Sequence, residues 1–268
     1  MPKIKVVSSS EKRRGQLSVF IVVSVVLVFL IAFLYNRVVL TEKRVSEMTK
    51  TQQQWDVQAV QGMVQGCLDK VATDSVFYFG MVGGRTGYFP QSIVYDQYYT
   101  IPYYFWTGRS LMPSKREIEN DILGTYVASR LKACTAGFTS VQGFVISEGD
   151  ITSKVTIDKK SVDFKIDYPI EITKGDQKTV LREFSFRLPS RLYDLVEFSS
   201  EIVKREEQDD SIIHWDYMTE FTKRGYNVTA HAEQIHTIVY RVVDTNDDYR
   251  LYFEPYMFQF ANRVVVQG

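Results

Sequence analysis

Residues 161–173 read SVDFKIDYPIEIT, and Val162, Phe164, Ile166, Tyr168, Ile170 and Ile172 fill six consecutive even positions. The odd positions are mostly polar. A period of two sends alternate side chains to opposite faces, so the pattern predicts a half-buried strand with one solvated face. The stretch ITSKVTI (151–157) precedes it, and VLREFSF (180–186) follows across the turn Lys174-Gly175-Asp176. Connections this short imply an antiparallel meander.

Beyond the meander the period returns to 3.6. Leu192, Leu195, Val196, Ser199, Ile202 and Val203 share one face of a helix over 190–207. A shorter helix over 212–224 should end at Gly225. Strands are expected at 226–232, 235–243 and 249–260, the last two joined by a turn at Asn246-Asp247-Asp248.

On the N-terminal side, Trp55, Val60, Met63, Val64, Cys67, Leu68, Val71 and Ala72 mark an amphipathic helix. Gly62 and Gly66 weaken it or permit close packing, and Gly80, Gly83 and Gly84 should end it near Phe79. Residues 83–113 read as a long loop or hairpin rich in Tyr, Phe and Trp and punctuated by Pro90, Pro102 and Pro113. Ser114-Lys115-Arg116-Glu117 is a capping box that opens a second helix, with Ile118, Ile122, Tyr126, Ser129 and Ala133 near one face. Residues 55–140 are therefore a helix pair with an aromatic insertion, and 141–268 a β-rich part. The fold class is α+β, with an antiparallel sheet covered by helices.

Ahead of this domain, residues 17–35 read LSVFIVVSVVLVFLIAFLY without a charge. As a helix the run covers about 28 Å, the thickness of a hydrocarbon core. It is expected to be a transmembrane helix contacting the lipid bilayer. Residues 36–54 lack Gly and Pro and read as a helical stalk. Lys12, Arg13 and Arg14 cluster before the run, so residues 1–16 are expected in the cytoplasm and the domain 55–268 outside the plasma membrane. Lys and Arg number 32 against 32 Asp and Glu, which argues against a nucleic-acid partner.

The junction Lys12-Arg13-Arg14-Gly15-Gln16-Leu17-Ser18 resembles the class III signal peptide of archaeal type IV pilin-like proteins. The resemblance implies a processing site between Gly15 and Gln16, with the helix left attached. The chain departs from that pattern at Phe20, where pilins commonly carry Glu. It is also similar to archaeal single-pass membrane proteins that begin KKGQLS and carry a soluble domain behind one helix.

Cys67 and Cys134 each sit on a predicted helix. They form either a disulfide, allowed outside the cell, or two unrelated buried thiols. His214, His231 and His236 lack metal-ligand spacing. The chain has no G-x-S-x-G elbow, phosphate loop or dinucleotide fingerprint, so no catalytic residue, metal or cofactor is assigned. Glu206, Glu207, Asp209 and Asp210 read as a solvated helix end. Tyr98, Tyr99, Tyr103, Tyr104 and Trp106 form the best candidate binding surface, the alternative being that they fold into the core. Asn227-Val228-Thr229 matches a glycosylation sequon. The expected function is that of a membrane-anchored interaction or structural protein of the cell surface with a protein partner, and not an enzyme. The alternatives are a pilin-like subunit and a surface hydrolase.

Overall fold

The computed structural model describes the backbone of residues 12–84, 90–97, 99–139, 143–234 and 236–264, and the side chains of 25–35 and of these spans from 57 onward. Tyr98, residues 1–11 and the side chains at 12–24 and 36–56 lie outside the described set. The chain divides into two units, Met1–Gln58 and Ala59–Gly268. Helix α1, Lys12–Met81, contributes to both. In the first unit every residue from 25 to 35 is exposed, so apolar side chains face outward on all sides of three helical turns. Among the described residues no helix is long and apolar enough to cross a membrane.

The second unit is α+β and holds two sheets. In the smaller one, β4 (Val145–Glu148), β5 (Thr152–Asp158), β6 (Ser161–Lys174) and β7 (Gln177–Pro189) are all antiparallel. β6 pairs with β7 along its length and with β5 and then β4 on its other edge. Its even residues from Val162 to Ile172 are all buried. Pro169 falls where the register with β7 shifts and where β5 has ended but β4 has not begun. A residue without an N–H is tolerated in a central strand only at such a break.

The larger sheet runs β1 (Ser92–Tyr95), β2 (Tyr99–Trp106), β10 (Met257–Arg263), β9 (Thr237–Asp244) and β8 (Tyr226–Gln234), with β3 (Arg109–Ser110) pairing to β2. It is mixed, because β2 and β10 are parallel. This corrects the single antiparallel sheet expected from the sequence. The final strand also begins at Met257, not Tyr249, after a short 3-10 turn at Asp247–Tyr249.

Helices bury the apolar faces. Val60, Val64, Leu68, Val71, Ala72, Val76 and Phe79 of α1 form a stripe at helical spacing, all buried. Phe79 packs on Phe258 of β10. Gly80 is required there: a Cβ would stand 2.2 Å from the Met257 carbonyl oxygen. At Gly62 and Gly66 nothing lies within 4 Å of an added Cβ, so those two glycines serve no close packing.

The second helix opens at Ser114. The Ser114 hydroxyl accepts from the Glu117 N–H, and the Glu117 side chain accepts from the Ser114 N–H. One turn of α2 (Lys115–Glu117) leads through a π-helical stretch, Ile118–Gly124, into α3 (Thr125–Thr135). α4 (Leu192–Gln208) buries Leu192, Leu195, Phe198, Ile202 and Val203, and Phe198 stacks on Tyr217 and packs against Phe221 of α5 (Trp215–Lys223).

Candidate functional site

The structure redistributes the predicted site residues. Cys67 and Cys134 are joined by a disulfide, with Cα atoms 5.8 Å apart, which staples α1 to α3. Gly15 and Gln16 fall within α1, and their surroundings lie outside the described residues. Tyr98 is likewise outside. Tyr103 and Tyr104 are buried, so of the two readings left open for this stretch they follow the core and not the binding surface. β2 is an interior strand covered on both faces. The Tyr104 hydroxyl donates to the Gly83 carbonyl, and its ring stacks on Phe260. Tyr99 and Trp106 are half-buried against a cluster that includes Ile93, Tyr95, Tyr103 and Val239. Arg263 covers the Trp106 ring at 4.6 Å.

Glu206 is not part of a solvated helix end. It is 2% exposed and accepts from the Tyr240 hydroxyl at 2.7 Å and from Asn262 Nδ2 at 2.6 Å. Asn262 Oδ1 in turn accepts the Phe105 N–H at 3.1 Å, at the point where the β2–β10 register shifts. The side chain of Asn262 replaces a missing ladder partner, and Glu206 holds it in place. Burial pushes the Glu206 carboxyl up to about 7, against its two donors. Arg191 does similar structural work at the start of α4. It forks onto Asp244, lies 4.2 Å from the Tyr226 ring centre and donates to the Gly225 carbonyl. Among the described residues no group of three His, Cys, Asp or Glu is placed to hold a metal ion.

The exposed aromatic surface lies elsewhere. Leu251 and Glu254 exchange backbone hydrogen bonds of 3.0 and 2.9 Å across a two-residue turn, Tyr252-Phe253. Both residues have positive φ, 53° and 68°. Turns of this kind ordinarily use Asn-Gly, because each central residue must enter the left-handed region. Phe253 is 92% exposed, and Tyr252 is 48% exposed.

The tip is held from below. The Tyr252 hydroxyl donates to Asp74, and its ring meets Phe77 edge-on at 5.7 Å. Arg250 pairs with Asp247 and donates to the Phe253 carbonyl at 3.3 Å. Beside this, Tyr78 of α1 stacks on Tyr126 of α3 at 6.2 Å, and Tyr78 is 42% exposed. Partial burial and the bond to Asp74 raise the Tyr252 phenol to about 12, with Tyr126 adding to the effect. It therefore stays a neutral donor throughout the physiological range.

Two ring pairs, Phe77–Tyr252 and Tyr78–Tyr126, thus join α1, α3 and the β9–β10 connection into a partly exposed aromatic surface, with Phe253 next to Tyr252 at the tip of the turn. Sequence reasoning missed it because its members are scattered over 177 positions and the turn uses residues that do not announce a turn. Such an arrangement suits binding. An exposed ring offers apolar contact area, and burying a Phe side chain is worth about 2 kcal/mol. No protein-family model, curated protein or solved structure matches the chain.

Proposed function

We propose that the protein is a membrane-anchored interaction protein of the cell surface, working by binding and not by catalysis. Residues 17–35 lie in the bilayer, the N-terminus is cytoplasmic, and the domain outside docks a protein partner through Phe253. One observation carries the binding role: a strained turn that holds an aromatic ring out at 92% exposure. Strain of this kind persists only where the surroundings impose it, and it clusters at working sites. Anchoring is supported by the charge-free run and by the exposure of residues 25–35 on every side of α1. The Cys67–Cys134 disulfide supports an oxidising compartment.

A second reading is a pilin-like subunit. The Gly15-Gln16 junction favours it, and the exposed apolar turns of α1 would then bury against neighbouring subunits. Site-specific photocrosslinking in native membranes tests the docking role. A photoreactive phenylalanine at position 253 should capture one protein of defined mass, and the same group at Asp176 in the β6–β7 turn should not. Equal capture at both positions, or capture of lipid alone at 253, would remove the docking role. Capture of a second copy of the chain would favour the filament reading.

A further inference from the structure

On the solvated face of the smaller sheet the side chains form cross-strand rows. Arg187 forks onto Asp163 with bonds of 2.7 Å, Arg182 onto Asp167 with bonds of 2.7 and 2.8 Å, and Lys178 meets Glu171 at 2.6 Å. Each of these charges is compensated. The row between Asp163 and Asp167 differs. Lys154 of β5 lies directly opposite Lys165 of β6, and Ser185 of β7 lies opposite Lys165 on its other side. Neither lysine forms an ion pair among the described residues.

Like charges directly opposite in a sheet repel, a cost that the attraction of Lys165 to the neighbouring Asp163 carboxylate offsets in part. The next row is Thr152, Asp167 and Glu183, again in direct register. The two rows, with Ser153, Ile166 and Phe184 between them, line an open pocket of about 600 Å³. Its size suits a small-molecule ligand.

We propose that this cavity binds an anionic sugar, a sugar acid or sugar phosphate unit, independently of the Phe253 tip. Opposite residues in such a pair have Cβ atoms about 5 Å apart, so two ammonium groups converge on one carboxylate or phosphate. Each contact is a charge-assisted hydrogen bond, and the bound anion relieves the repulsion between the lysines. The neighbouring row lies about 7 Å along the strands. There Glu183 and Thr152, on either side of the Arg182-bound Asp167, present acceptors to the hydroxyl groups of the same molecule. An anion at one end and hydroxyls at the other is the pattern that the two rows together read.

Ligand-detected NMR titrations of the full chain in detergent test this with glucuronate, glucose 6-phosphate, glucose and inorganic phosphate. The two anionic sugars should bind saturably, and more tightly than glucose or phosphate. K154M/K165M should weaken both about tenfold or more without loss of fold, since both lysines are exposed. E183Q should weaken both sugars and leave inorganic phosphate unchanged. Absence of saturation by any probe, or unchanged affinity in K154M/K165M, would overturn the site. Glucose binding as tightly as glucuronate would overturn its preference for an anion. Phosphate binding as tightly as glucose 6-phosphate would overturn the sugar.

Discussion

At φ 68°, Phe253 occupies a region that costs an L residue about 1–2 kcal/mol, and its 92% exposed ring recovers little of that through packing. Asn enters the same region more readily. F253N should therefore raise stability by about 1 kcal/mol in urea unfolding while abolishing capture of the partner. A loss of stability would show that the ring packs in the fold and is not held out for docking. Glu206 supplies a second prediction at this scale. Its carboxyl is raised from 4.5 to about 7 by burial. Between those pH values the folded state holds a proton that the unfolded state releases, so stability falls as pH rises through the window. The loss is on the order of 3 kcal/mol. Urea unfolding at pH 5 and pH 8 should show it, and E206Q should flatten the profile. An equal decline in E206Q would assign the effect to another group.

Among the elements, the disulfide and the Ser114 cap carry separable contributions. C67A/C134A removes a link between residues 67 positions apart, and chain entropy predicts a loss of about 4 kcal/mol by urea unfolding. S114A should cost about 1 kcal/mol by the same measurement. Elements set by neighbours in sequence were legible. The even-position run gave β6 its buried face, and Ser114 with Glu117 marked the start of a helix. Elements set by distant partners were not. The parallel pairing of β2 with β10 joins residues about 157 positions apart, such as Phe105 and Asn262, and leaves no local periodicity. It also explains why Tyr103 and Tyr104 fit both a binding surface and a core strand in the sequence. A strand covered on both faces is apolar throughout, which looks the same in sequence as an exposed aromatic stretch. Tyr252 and Phe253 fit a strand by sequence because aromatic residues favour strands, and only the fold forces them into a turn.

For the whole molecule, the proposed cell-surface role draws on a charge-free apolar run, a disulfide-stapled α+β domain and an exposed aromatic turn. Each part makes sense in that setting. The disulfide persists where thiols are oxidised. Asn227 of β8 is exposed and heads a sequon, so glycan attachment would be compatible with the fold. The central claim is that the domain lies outside the membrane that holds residues 17–35. Protease treatment of intact cells, with mass spectrometry of the carbonate-washed membranes, tests it most directly. The account predicts that peptides from 59–268 are released from intact cells while a fragment containing 17–35 stays in the membrane. Protection of the domain until the cells are broken, or loss of the 17–35 fragment in the carbonate wash, would contradict it.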